Sequence, residues 1–201
     1  MNRRAAIADL FDASPLAGLT SRSDVVTPPE EAELCARIDA TDLAPFRFQG
    51  WLGKRLTSSF GSGYDFDTGR MAPAPPIPDW LVPLRDRAAT FAGLTVDQLT
   101  QALLIRYDPG AGIGWHRDRP QYEHVVGISL GAPATMRFRR RRETGFDRIA
   151  VPLPPRGMYH LAGDARHAWE HSIAAMTEPR WSITFRSLSD MGLAALRSTP
   201  A

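Results

Sequence analysis

After Gly93 the chain becomes a succession of short β-branched or aromatic runs, QALLIRY, HVVGISLG, ATMRFR, RIAVPLP, GMYHLA and RWSITFRSL, separated by proline, glycine and charged residues. Strands that short and that evenly punctuated predict an antiparallel β-sandwich or barrel. The preceding part reads differently. Thr27-Pro28-Pro29-Glu30 has the spacing of a capping box with proline in the first turn, and Ala32, Leu34, Cys35 and Ile38 follow, which predicts a short helix over about 28–40. PFRFQGWLG alternates Phe46 and Phe48 with Arg47 and Gln49, a strand pattern. The Gly- and Pro-rich SSFGSGYDFDTGRMAPAPPIP reads as a long, partly ordered connection of the kind that often carries binding residues. Asp79 is placed to cap a helix with Trp80, Leu81, Leu84, Ala88 and Phe91 on one face, ending at Gly93. The expected fold class is therefore mainly β with N-terminal helices (α+β).

With 201 residues, 43% of them apolar, there is length for one substantial core and too little for two. Residues 1–24 read as a flexible N-terminal arm and 25–201 as a single domain, with a short helix or frayed tail over 189–201. The first residues, MNRRAAIADLFDASP, carry two arginines, but Asp9 and Asp12 break the apolar run an export signal needs. No stretch approaches membrane-spanning length. Cys35, the only cysteine, allows neither an internal disulfide nor a thiolate cluster, so a metal here would take His, Asp or Glu ligands; a cytoplasmic monomer is the expectation. All but one of the 24 basic residues are arginine, and the net charge of +2 permits a polyanionic partner without requiring one. MRFRRRRE concentrates Arg139, Arg140, Arg141 and Arg142, which read equally as phosphate contacts or as a solvated hairpin tip.

In GWHRDRP, His116 and Asp118 are two residues apart, hence on one face of a strand and about 7 Å apart at the backbone. A His-x-Asp pair arises by chance in roughly a third of chains with this composition, so it needs a third ligand. His160, His167 and His171, all within GMYHLAGDARHAWEHSI, are the candidates. Two histidines and a carboxylate on one face suit non-haem Fe(II), because three positions stay open. In RWSITFR, Arg180, Ser182, Thr184 and Arg186 share one strand face, polar where a barrel interior should be apolar. A buried guanidinium without a partner costs several kcal/mol, and a dicarboxylate is a partner that would pair with it fork to fork.

The ordered set RYDPG…IGWHRD, VVGISLG, GDARHAWEHSI and RWSITFR resembles the AlkB-type Fe(II)/2-oxoglutarate-dependent dioxygenases, closely over about 101–188 and more loosely over the preceding 50 residues. The resemblance implies a double-stranded β-helix (jelly-roll) core over 96–188, preceded by an extension and substrate lid over 25–95. It implies Fe(II) held by His116, Asp118 and His171, with His160 and His167 structural. It assigns 2-oxoglutarate to Arg180, Tyr107, Ser182 and Arg186, with O₂ as co-reactant. Trp51, Phe60, Tyr64 and Phe66 fall where the lid would hold a flipped base. The implied reaction is oxidative demethylation of N-alkylated bases in DNA or RNA, releasing formaldehyde, succinate and CO₂. The same chemistry on a protein or small molecule is the alternative, as is a nucleic-acid-binding module without turnover. A zinc hydrolase would also use such a triad but gives no reason for the two arginines. Two positions depart from the best-known bacterial members, which carry asparagine in place of Ile105 and of Ser182.

Overall fold

The computed structural model describes residues 16–48, 51–65 and 70–197, with backbone alone at 48, 51, 65, 70, 72 and 73. Helix α1 (Pro28–Asp39) forms where the capping box places it: the Thr27 amide donates to Glu30 Oε2 at 2.7 Å and the Glu30 amide to Thr27 Oγ1 at 3.4 Å. Helix α2 (Val82–Ala92) ends at Gly93, whose left-handed φ of 68° suits a residue without Cβ. Asp79 does not cap it. That residue opens a single 3₁₀ turn over Asp79–Leu81, and α2 starts behind it with Val82-Pro83, proline setting the first turn.

Two sheets face each other, and every pairing is antiparallel. The larger is built from β1 (Leu19–Arg22), β2 (Ala44–Phe48), β3 (Trp51–Phe60), β6 (Leu99–Tyr107), β8 (Tyr122–Gly131), β11 (Met158–Leu161) and β13 (Arg180–Leu188), in the order β1-β11-β8-β13-β6-β3-β2. The smaller has β7 (Ile113–His116), β9 (Ala134–Arg141), β10 (Phe146–Leu153) and β12 (Glu170–Ile173), ordered β10-β9-β12-β7. A separate hairpin joins β4 (Ser62–Asp65) to β5 (Arg70–Pro73). Short helices α3 (Gly163–His167) and α4 (Asp190–Arg197) precede β12 and follow β13.

Strand alternation divides the apolar residues into two cores. Leu104, Ile128, Ile183 and Phe185 pack outward against Leu34 and Ile38 of α1 and Leu84 and Ala88 of α2. Tyr107, Val125, Met136, Phe138, Tyr159 and Ile173 fill the space between the sheets. The large sheet is thus buried on both faces, which is why HVVGISLG reads as a nearly continuous apolar run. No helix among the described residues is long and apolar enough to cross a membrane.

Two expectations for the N-terminal half are corrected. Residues 16–24 are not a loose arm: Leu16 and Leu19 are buried, β1 pairs with β11, and Gly18 (φ 84°) lies so close to Ala162 that a Cβ would fall 2.0 Å from its carbonyl oxygen. Residues 1–15 of that arm lie outside the described set. The Gly- and Pro-rich connection contains the end of β3 and the β4–β5 hairpin, because its glycines and prolines punctuate strands instead of dissolving them. The front part carries the expected helices α1 and α2 and also supplies β1, β2 and β3 to the large sheet.

Candidate active site

The site forms where edge strand β7 meets β12. Antiparallel register sets His171 directly opposite His116, and their ring centroids are 4.3 Å apart. Asp118, just past the end of β7, brings a carboxylate oxygen to 3.6 Å from His171 Nε2. One ligand atom from each of the three lies within 4.8 Å of the others, and no other such cluster of three occurs among the described residues. His116 Nδ1 is 2.9 Å from the Gly114 carbonyl, which can only accept, so the proton resides on Nδ1 and Nε2 keeps its lone pair. Burial pushes the pKa of His116 down. Burial, with His116 beside it, takes His171 down to about 3. Both imidazoles are therefore neutral at neutral pH. Burial works to raise Asp118, but Arg186, then His171 and His116, outweigh it and hold the carboxyl well below the usual carboxylate range. The trio is two neutral nitrogens and one anion, the donor set a divalent first-row cation takes.

Behind the trio, between the sheets, runs a narrow cavity. Tyr107, Ile105, Tyr159, Leu161 and Ser182 line it, and Arg180 closes it at zero exposure. Arg180 sits cross-strand from Tyr107, with its guanidinium 5.0 Å from the ring centroid, and Nε donates to Ser129 Oγ at 3.2 Å. Both terminal nitrogens, Nη1 and Nη2, have no hydrogen-bond partner. A buried guanidinium fork with nothing to pair is costly, and its geometry matches a carboxylate. Arg186, on the same face of β13, is engaged already: Nε donates to Asp118 Oδ1 at 3.0 Å and Nη1 to Gln101 Oε1 at 3.0 Å.

The remaining expected site residues divide. Tyr64, on β4, is part-buried against Met71, Tyr122 and Leu188, and Arg119, which follows the ligand Asp118, stacks 4.7 Å from its ring. Phe60 is corrected: alternation along β3 sends its ring into the core between sheet and helices, with Leu104 and Phe185. Trp51 begins β3, its side chain outside the described residues, and Phe66 lies outside them altogether. The arginine tract is largely compensated within the chain. Arg139 pairs with Glu170 at 2.6 Å, Arg140 and Arg142 share Asp147, and Arg141 lies over Phe146. His160 bonds to His124 and His167 to Glu123, each at 2.9 Å, away from the metal-ligand trio.

Four contributors escape a reading of the sequence alone. Ser129 and Gln101 each hold one arginine, but nothing local distinguishes them from other polar strand residues. Arg166, from α3, donates to the carbonyls of Arg119 and Tyr122 and so pins the loop behind Asp118. Tyr159 lines the cavity with its hydroxyl pushed up to about 12 by burial. A Cβ at Gly127 would lie 2.2 Å from the Tyr159 ring, so the glycine inside VVGISLG is the one signal that something closely approaches that strand.

The sequence profile of the 2OG-Fe(II) oxygenase superfamily matches residues 25–187. A protein of Arabidopsis thaliana described as "Alkylated DNA repair protein ALKBH8 homolog" is 29% identical over 185 residues, covering 78% of this chain and 50% of its own length. The "Alpha-ketoglutarate-dependent dioxygenase AlkB" of Escherichia coli K12 is 38% identical over 69 residues, 33% of this chain and 32% of that protein. The chain thus spans about half the length of the plant relative and aligns with about a third of the bacterial one. In fold it is similar to OsALKBH1, with a TM-score of 0.65 at 14% identity over 85% of this chain and 96% of the other. The paired antiparallel sheets are the double-stranded β-helix of that fold, and the chain belongs to the 2OG-Fe(II) oxygenase superfamily as an AlkB-type dioxygenase, an enzyme class that uses Fe(II), 2-oxoglutarate and O₂.

Proposed function

We propose that this dioxygenase oxidatively demethylates N-alkylated bases in DNA or RNA. The observation that carries the reading is the contact between Tyr64 of the β4–β5 hairpin and Arg119, which joins an aromatic surface to the loop that presents Asp118. A planar base entering beside the hairpin meets a ring face and a guanidinium within one residue of a metal ligand, the kind of surface on which an extruded base stacks. The alkylated-DNA-repair description of the plant relative supports the same substrate class.

The residues fit both the metal and the cosubstrate. His116, Asp118 and His171 would hold Fe(II), and the unpaired Nη1 and Nη2 of Arg180 would take the distal carboxylate of 2-oxoglutarate, with Tyr107 and Ser182 beside it. Bound together with O₂, they supply the oxidation of an N-methyl C–H bond while 2-oxoglutarate is converted to succinate and CO₂. The hydroxymethyl product then breaks its N–C bond, leaving formaldehyde and the unmodified base. The protein contributes orientation. Gly114 fixes the His116 tautomer, Arg186 holds Asp118 ionised and aimed, and Ile113, Met136, Leu161 and Ile173 keep the cavity wall apolar. Ile105 provides apolar wall where the best-known bacterial members carry asparagine, and Ser129 on the opposite side of β13 supplies the hydrogen bond to Arg180.

Oligonucleotides carrying 1-methyladenine or 3-methylcytosine are expected to release formaldehyde and to raise succinate production above the substrate-free rate. Substrate-free turnover of 2-oxoglutarate that no methylated oligonucleotide stimulates would overturn the nucleic-acid reading and leave the dioxygenase.

A further inference from the structure

Strand alternation gives the small sheet a second face, away from the cavity. On β9, Met136 and Phe138 point inward while Arg137, Arg139 and Arg141 point out, and on β7 His116 points in while Trp115 points out. Arg137 and Arg139 stack on Trp115 at 5.4 and 4.5 Å. Arg139, Arg141 and Arg148 surround Phe146 at 4.7, 5.2 and 5.5 Å. Arg117, between the two metal-ligand positions in sequence, joins Arg139, Arg141 and Phe146 in lining one shallow groove. The only carboxylate in that groove is Glu170, which Arg139 occupies at 2.6 Å. Arg117, Arg137, Arg141 and Arg148 have no carboxylate partner among the described residues.

In a chain whose net charge is only +2, four uncompensated guanidiniums on one face are a strong local concentration. Aromatic stacking restricts Arg137, Arg141 and Arg148, so these three lose less freedom when they meet an anion than solvated arginines would. The face spans three inter-strand spacings, about 14 Å, from the β7 edge to β10. It begins at the β7 edge, where His116 and Asp118 stand, so a strand whose base reaches those two residues passes beside it. Trp115 is flanked by two guanidiniums and Phe146 by three, against the one at Tyr64, which suits this surface to a polyanionic backbone more than to stacked bases.

We infer that the outer face of the small sheet, with Arg137, Arg141 and Arg148 held by Trp115 and Phe146 and Arg117 bonded to the His167 carbonyl beside them, binds the phosphodiester backbone of a single strand flanking the base in the active site. This rests on the nucleic-acid reading above and adds to it a second, sequence-independent contact surface. Each phosphate neutralised on a single strand steepens the dependence of log K on log salt by about 0.7. An unmethylated single-stranded oligonucleotide binding to the purified protein is followed by fluorescence anisotropy between 50 and 300 mM salt. The Arg137→Gln/Arg141→Gln/Arg148→Gln variant is expected to bind at least tenfold more weakly at the low-salt end, with the slope reduced by about 2. The corresponding triple Lys variant should keep most of the slope, and circular dichroism with thermal unfolding checks that both variants fold. Unchanged affinity and slope in the folded Gln variant would overturn the inference. So would a wild-type protein that prefers anionic vesicles or polyglutamate to the strand. Wild-type binding with the expected slope but no turnover of methylated oligonucleotides would overturn the demethylase reading and leave this surface standing. Turnover that persists in a Gln variant of unchanged affinity would do the reverse.

Discussion

His116 and His171 face each other across the β7–β12 ladder, and with Asp118 they form a single trio of donors, two neutral imidazoles and one carboxylate. Removing either imidazole leaves a bidentate site. His171→Ala is expected to reduce iron affinity and 2-oxoglutarate turnover by about 100-fold or more, since even loss of a residue supporting a ligand costs about 10- to 100-fold. Iron titration and succinate release on the purified variant check this. Chelation should abolish wild-type turnover, and added Fe(II), but not Zn(II), should restore it.

Which histidine completes that trio is the clearest instance of what sequence could not decide. His116 and Asp118 are related by local strand geometry, which two-residue spacing expresses. The choice among His160, His167 and His171 depends on cross-strand register, and register is set by residues elsewhere in both strands. His167 closes the α3 turn and bonds to Glu123, and His160 faces the outer side of the large sheet beside His124. The core strands and the polar face of RWSITFR were legible because alternation is local. The partners of the arginine tract, Glu170 and Asp147, and the outward turn of Phe60 were not, because they depend on pairing between distant segments.

Arg180 carries an opposite-sign pair of effects. Its Nη atoms are buried and unpartnered without cosubstrate, so Arg180→Met removes a destabilising charge while losing the carboxylate partner. The variant is expected to be more stable than wild type by about 1–3 kcal/mol in the absence of 2-oxoglutarate. Its concentration for half-maximal turnover should rise by about 100-fold, matching the loss of roughly 3 kcal/mol for a hydrogen-bonded charge pair. Conversely, 2-oxoglutarate with an inert divalent ion should raise the melting temperature of the wild type and leave that of the variant nearly unchanged. Denaturant and thermal unfolding with and without cosubstrate check both arms.

Gly127 tests the role of Tyr159. A methyl group there would lie 2.2 Å from the Tyr159 ring, so Gly127→Ala forces the ring into the cavity or the strands apart. A loss of about 1–3 kcal/mol in stability is expected, as for overpacking elsewhere. Pairing it with Tyr159→Ala should relieve the clash and recover part of that loss, which unfolding of the single and double variants measures.

The His124–His160 pair predicts how stability depends on pH apart from the active site. Burial, then the neighbouring His124, pushes His160 down to about 4, and burial lowers His124 as well, against the pull of Glu123. Unfolded, a histidine takes its proton near pH 6.5. Between those values the unfolded chain binds a proton that the folded one excludes, so this contribution is fully present above pH 6.5 and is lost as the pH falls toward 4. The loss for His160 is on the order of 2–3 kcal/mol over that interval. His160→Gln should lower stability at pH 7.5 by breaking the 2.9 Å bond to His124, yet show a flatter decline between pH 6.5 and 4.5 than wild type. Urea unfolding of both proteins across that range decides it. Parallel pH profiles would mean that His160 is as readily protonated in the fold as out of it.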